Sequence, residues 1–173
     1  MADRSGSAVT PDGGTLAWIS TGSGEPVLLI AGQAVTMRSW DPIVPALAAR
    51  FEVIVFDQRG IGESADGAVA PRTTRAIARD VAVVRDAVGI GRAHTIGHSV
   101  GGRVAQWVAI DQPDAVGTLV LISTTGGDAA GHLRSAEATA DLASGDADRL
   151  AARFFNEAYL AAHPSAADVF VRK

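Results

Sequence analysis

Residues 94–107 read His-Thr-Ile-Gly-His-Ser-Val-Gly-Gly-Arg-Val-Ala-Gln-Trp. A short apolar stretch runs into Gly97-His98-Ser99-Val100-Gly101-Gly102. A helical pattern starts at once, with Val104 and Val108, and Ala105 and Ala109, at i, i+4 spacing on one face. Ser99 is therefore expected at a tight corner between a strand and a helix. Such a corner holds a non-glycine residue in a strained backbone conformation. Strand and helix cross there, so the residues two positions away on either side must be small, and Gly97 and Gly101 meet that need. The turn lifts the Ser99 hydroxyl clear of the sheet. It also sets the Val100 N–H at a helix N-terminus, facing any anion formed beside Ser99.

Outward from this corner the chain alternates between short apolar runs and helical patterns. Residues 26–31 (Pro-Val-Leu-Leu-Ile-Ala) and 51–56 (Phe-Glu-Val-Ile-Val-Phe) read as buried strands, the first covered on both faces, and 118–122 (Thr-Leu-Val-Leu-Ile) as one more apolar strand. Ser39 is a candidate N-cap for a helix carrying Trp40, Ile43, Val44 and Leu47 at i, i+3, i+4, i+7. Thr73 can cap a helix with Ile77, Val81, Val84 and Val88 on one face, stopped by Gly89. Residues 1–14 are small and polar and read as a frayed end followed by a turn, with a strand over 15–20. The order strand, helix, strand, helix, strand, helix, strand calls for right-handed crossovers. The expected fold is α/β, a doubly wound, mostly parallel sheet with helices on both faces. Ligands bind beyond the carboxyl ends of such strands. Gln33, Asp57 and Ser99 all follow strand ends, so three loops are expected to converge on one crevice. Residues 129–173 are alanine-rich, with Leu150, Phe154 and Ala158 at helical spacing and Asp146 as a candidate cap.

Composition narrows the function classes. The chain has 173 residues, net charge −4 and no cysteine. That length supports one domain with a real core. No basic block points to nucleic acid, and disulfides and thiolate metal sites are excluded. The N-terminus shows no apolar signal core, and no stretch approaches the roughly 20 apolar residues of a membrane span. A cytoplasmic protein is the expectation. No His, Asp and Glu spacing suggests a metal, and the glycines of 97–102 do not form Gly-x-Gly-x-x-Gly, so no cofactor is expected.

Gly-x-Ser-x-Gly between a strand and a helix is the nucleophile-elbow pattern. Together with the strand-Gly32-Gln33 loop followed by Trp40, and the loop Asp57-Gln58-Arg59-Gly60-x-Gly62-x-Ser64, it makes the chain resemble the α/β-hydrolase superfamily over about residues 8–127. The likeness is to its small bacterial members: esterases, enol-lactonases, C–C bond hydrolases and cofactor-free haloperoxidases. The resemblance implies Ser99 as nucleophile, with the backbone N–H groups of Val100 and Gln33 as an oxyanion hole. Many relatives have His-Gly where this chain has Ala31-Gly32; a backbone donor survives that change. Gly32, His98 and Trp40 are candidate substrate-lining residues, although Trp40 and His98 also suit packing. In the family the base is a His after the last strand, and in a minority the acid follows the strand matching 118–122, which makes Asp128 the candidate acid. The segment after that strand is often a helical cap. The expected division is therefore 1–127 as the N-terminal part of the core and 128–173 as the start of a cap, with the catalytic His outside the chain.

The mechanism stands on chemistry alone. A free Ser is a weak nucleophile and needs a base within hydrogen-bond reach, itself oriented by a carboxylate. The expected activity is cleavage of a small ester or lactone. Two alternatives are a non-catalytic ligand-binding or assembly protein on the same fold, and a cofactor-free perhydrolase or haloperoxidase using the same Ser. The remaining histidines, His94, His132 and His163, suit surface roles better than that of base, Asp57 suits bracing, and Arg59 and Arg103 suit ion pairing. The expected partners are the small substrate, a second chain or C-terminal part carrying the base, or a homodimer formed through an open sheet edge. Residues 1–173 by themselves are expected to show little or no turnover. Ester hydrolysis by that polypeptide that disappears in Ser99→Ala would overturn this expectation.

Overall fold

The computed structural model describes residues 3–69, 73–127 and 135–169. Six strands form one sheet: β1 (Arg4–Val9), β2 (Thr15–Gly22), β3 (Glu25–Ile30), β4 (Phe51–Phe56), β5 (Ala93–His98) and β6 (Val116–Ile122). Their spatial order is β1-β2-β4-β3-β5-β6. β4, β3, β5 and β6 run parallel, and β1 and β2 add an antiparallel hairpin on one side. The parallel strands alternate with α1 (Val44–Ala48), α2 (Thr74–Val88) and α3 (Val100–Asp111).

The unbroken apolar runs of β3 and β4 are explained by cover on both faces. Leu28 and Ile30 of β3 face a core shared with Val81 and Val84 of α2 and Val104 and Val108 of α3. Val27 and Leu29 face the opposite core, with Val53, Val55, Met37 and Trp40, against which Val44 and Leu47 of α1 pack. Each such side chain, once buried, contributes about 1.5–3 kcal/mol. The Thr73 side chain accepts from the Ala76 N–H at 3.1 Å and caps α2. Gly89, at φ 85°, ends that helix.

Three local expectations are corrected. Residues 4–9 are not frayed: they form β1, paired with β2 from Arg4–Ser20 to Val9–Thr15. Only Ala8 of that strand is buried, so backbone pairing rather than an apolar pattern makes it a strand. Ser39 does not cap a helix over 40–47; it lies inside a 3₁₀ turn, Met37–Trp40, and α1 starts later. Pro45 supplies the reason: in a continuous helix begun at Trp40 it could not donate to the Asp41 carbonyl, whereas it is tolerated in the first turn of α1. The Leu150, Phe154, Ala158 spacing belongs to two helices rather than one. α4 (Ala136–Ser144), α5 (Ala147–Phe154) and α6 (Glu157–Ala162) follow one another. Asp146 caps α5 as expected, accepting from Asp148 and Arg149, both at 3.0 Å. Asn156 then starts α6 by accepting from the Tyr159 N–H at 2.8 Å.

These last helices bury a small core of Ala147, Leu150, Ala151 and Ala167 against Val35, Leu142, Phe155 and Leu160. Asp141, buried, bridges Arg149 and Arg153, each at 2.6 Å. β6 is the outer parallel strand, and its Val120, Leu121 and Ile122 are exposed. No helix among the described residues is long and apolar enough to cross a membrane.

The loop after β4 is held by charge. Arg59 reaches Asp80 of α2 through two bonds of 2.8 and 2.7 Å, and Asp12 of the β1–β2 turn through two of 2.8 and 2.6 Å. The Thr10 hydroxyl and the Arg59 guanidinium hold the Asp12 carboxyl well below the usual carboxylate range. Asp80 is almost fully buried, so removing its partner leaves an uncompensated charge. Arg59→Ala is expected to cost about 3 kcal/mol in chemical denaturation, and Arg59→Lys should recover only part, since an ammonium cannot fork to two carboxylates.

Candidate active site

Ser99 sits between the last residue of β5 and the first of α3, with φ 55° and ψ −120°. Strain at this position is enforced from both sides. A Cβ on Gly97 would lie 2.6 Å from the Gly102 Cα. A Cβ on Gly101 would run into the carbonyl oxygens of Ile30 and Ala31 at the end of β3. Only glycine lets α3 come this close to the strands. Val100 opens α3, so its N–H has no i−4 partner within the helix. The Ser99 N–H donates to the Ile122 carbonyl at 2.9 Å, tying the corner to β6.

The Gly32-Gln33 loop runs beside this corner. A Cβ on Gly32 would lie 3.4 Å from the Ser99 Cβ and 3.3 Å from the His98 Nδ1. Ala34 follows at φ 59°, which bends the loop over the strand ends. Gly32, Gln33, His98, Ser99 and Trp40 all line one cavity of about 830 Å³. His98 stands edge-on to Trp40, with ring centres 6.4 Å apart. The Trp40 Nε1–H, buried, has no acceptor among the described residues.

Other parts of the lining were not legible in the sequence. Val35, Ser39, Ile43, Ile122 and Ser123 join it from the sheet side. Leu142, Phe154 and Phe155 join it from α4, α5 and the residue after α5. Ser123, at φ 47°, is a third non-glycine residue with positive φ, after Ala34 and Ser99. All three follow strand ends at this cavity; a run of small polar residues after an apolar strand was the only hint of the third. Among the described residues the lining holds no Asp, Glu, Lys or Arg.

Asp57 does not reach the crevice. Its carboxylate accepts from the Met37 N–H at 2.7 Å and the Glu63 N–H at 3.0 Å, and its side chain is buried. The bracing role expected of it is what the geometry gives, and the third loop at the crevice is the one after β6. Gln58 adds to the brace by donating from Nε2 to the Ala31 carbonyl at 2.8 Å. Arg59 is an ion-pair residue, as expected.

Of the described histidines only His98 lines the cavity that holds Ser99. His94 lies at the opposite ends of the strands, 3.4 Å from Glu25. His163 stacks on Tyr159, with ring centres 4.1 Å apart. His132 and Asp128 lie outside the described residues. His98 itself packs between Gly32 and Trp40. Among the described residues no group of three or more His, Asp or Glu could hold a metal ion.

Comparison with known proteins gives a consistent frame. A family model described as the alpha/beta hydrolase fold matches residues 25–169. A protein of Azorhizobium caulinodans named as a carbamate hydrolase, RutD, is 39% identical over 59% of this chain and 38% of its own length. A protein of Mycobacterium tuberculosis named as a non-heme bromoperoxidase, BpoC, is 39% identical over 64% of this chain and 42% of its own. The match thus spans about two fifths of each relative. The solved structure of a thermophilic esterase from Thermogutta terrifontis superposes with a TM-score of 0.77 at 27% identity, over 96% of this chain and 65% of that one.

Burial pushes the His98 imidazole below its ordinary range, so it stays neutral at pH 7. The folded state then binds fewer protons than the unfolded state as pH falls below the unfolded imidazole value of about 6.5. Stability from this site is fully present above that pH and declines as pH drops through the window below it. An NMR titration of the His98 Cε1–H should show a midpoint below 6.5, and His98→Phe should flatten that part of the stability profile.

Proposed function

Since this chain belongs to the alpha/beta hydrolase fold family, we propose that it carries the nucleophile end of a serine hydrolase acting on neutral esters or lactones with apolar substituents. The observation that carries this reading is the strained Ser99, hydroxyl-bearing and lining the cavity, with Gly32 packed against it. In this mechanism the Ser99 Oγ attacks the substrate carbonyl carbon while a base takes its proton. The carbonyl oxygen becomes an oxyanion, stabilised by the Val100 and Gln33 N–H groups. Collapse expels the alcohol, and water then releases the acyl group from Ser99.

The substrate class follows from the lining. Val35, Trp40, Ile43, Leu142, Phe154 and Phe155 offer apolar surface, and no charged side chain among the described residues could pair with an ionic substituent. A charged group placed there would lose its hydration without compensation. The reading takes its base from outside the described residues, because neither His94 nor His163 lines the cavity and His98 is packed against Gly32 and Trp40. A peroxide-dependent activity using the same Ser99 is the second reading, favoured by the relative named as a bromoperoxidase.

The test uses the full native chain. p-Nitrophenyl butyrate should be hydrolysed, an ester bearing a free carboxylate in its acyl group should react more slowly, and a fluorophosphonate should label Ser99. Ser99→Ala should lower turnover about 10⁴-fold or more and abolish labelling. Absence of labelling in the wild type would favour a non-catalytic binding protein. Halogenation or peracid formation only when peroxide and a carboxylic acid are supplied would favour the second reading.

A further inference from the structure

Gly102 follows the Gly-x-Ser-x-Gly motif; its backbone crowds Gly97, but that contact does not itself require residue 102 to lack a side chain. Its neighbour explains it. A Cβ on Gly102 would lie 2.5 Å from the Thr124 Cγ2 and 2.6 Å from its Oγ1. The missing side chain is a notch, and Thr124 fills it. From there the Thr124 hydroxyl donates to the Ser99 carbonyl at 2.6 Å. Ser123, at φ 47°, turns the chain back so that Thr124 reaches this position. The next residue is clamped as well: Gln106 Nε2 donates to the Thr125 carbonyl at 3.0 Å, and Arg103 to the Thr125 hydroxyl at 3.0 Å.

The Ser99 carbonyl and the Val100 N–H belong to one peptide unit. That unit is trans, since no cis peptide occurs among the described residues. In a trans peptide the C=O and N–H point in opposite directions. Holding the Ser99 oxygen on the α3 and β6 side therefore fixes the Val100 N–H on the other side. The Gly102 N–H also holds that oxygen, at 3.0 Å, but α3 itself supplies that bond. The Thr124 hydroxyl is the contact that comes from outside α3, from the loop after β6. A donor on the carbonyl also polarises the peptide, which strengthens its N–H as a donor.

We propose that Thr124 is a positioning residue that, seated in the Gly102 notch, aims and polarises the Val100 N–H toward the oxyanion formed at Ser99. This rests on the reading of Ser99 as nucleophile. Thr124 touches no reacting atom; it acts through the 99–100 peptide.

The test compares Thr124→Val, which keeps the methyl in the notch and loses the hydroxyl, with Thr124→Ser, which keeps the hydroxyl. Both are made in the full native chain. Loss of one oxyanion donor typically costs 10²–10³ in rate, so mis-aiming it should lower kcat about 10-fold to 100-fold in Thr124→Val. KM should stay within about twofold, because the ground-state ester carries no full charge for that N–H to meet. Thr124→Ser should restore most of the loss. Independently of catalysis, the Val100 amide resonance should shift and its hydrogen exchange should quicken in Thr124→Val and not in Thr124→Ser. An unchanged Val100 amide, an unchanged kcat, or a Ser variant as slow as the Val variant would overturn the proposal. A wild type that neither hydrolyses esters nor labels at Ser99 would remove the hydrolase reading and the catalytic half of this one. The amide measurement would then decide whether Thr124 holds the peptide at all.

Discussion

Helix α3 lies against the carboxyl ends of β3 and β5 at backbone contact, and the site follows from that single approach. At Gly101 there is no room for a Cβ beside the Ile30 and Ala31 carbonyls, and at Gly97 none beside the backbone of 101–102. A chain that must leave a strand and enter a helix within that gap has one residue in which to turn. Ser99 takes the turn at φ 55°, at a cost of order 1–3 kcal/mol. The strain is sustained by bonds from three directions: the Ile122 carbonyl on the Ser99 N–H, and the Gly102 N–H and Thr124 hydroxyl on the Ser99 carbonyl. The same approach carries the end of β3 past the corner, which is why Gly32 ends up beside Ser99 rather than a loop's length away.

A second tier of interactions keeps the loops from collapsing into that gap. Asp57 ties the amides of Met37 and Glu63, Ser64 links the Asp57 carbonyl to the Ala17 amide, and Gln58 holds the Ala31 carbonyl. Arg59 then anchors the whole loop to α2 and the β1–β2 turn. Among the described residues the acidic and basic side chains next to the crevice are thus engaged in bracing it, and none lines it. The consequence is electrostatic. A cavity walled by apolar side chains has a low effective dielectric, and backbone N–H groups act more strongly on a developing charge there than they would in water.

How far these features could be read from the chain depends on whether their cause is local. The parallel strands were legible because cover on both faces demands uninterrupted apolar runs, as in Val27 to Ile30. The corner was legible because its steric demand falls on residues two positions from Ser99. β1 was not, because Arg4 to Val9 has no pattern of its own and becomes a strand only by pairing with β2. The apolar spacing from Trp40 to Leu47 does not make one helix, because Pro45 allows α1 to start only at Val44. The roles of Ser123 and Thr124 depend on a residue far along the chain, Gly102. Nothing within the sequence around 123–124 announces a positive φ at a serine.

The same distinction separates reaction from specificity. Apart from its base, the chemistry proposed for Ser99 needs a corner, a hydroxyl and two amides, which a few residues in 32–33 and 97–101 would supply. The walls that would choose a substrate come partly from elsewhere: Leu142 from α4, Phe154 from α5 and Phe155 just after it. Those residues lie in an alanine-rich segment whose helices are bounded by caps at Ser135, Asp146 and Asn156. Relatives named for carbamate hydrolysis and for bromoperoxidase activity match this chain at the same 39% identity. A fold shared across such different names does not by itself say what selects among substrates. The selecting surface must therefore be sought where α4 and α5 close over the crevice, and it is there that two chains with the same elbow would diverge in what they admit.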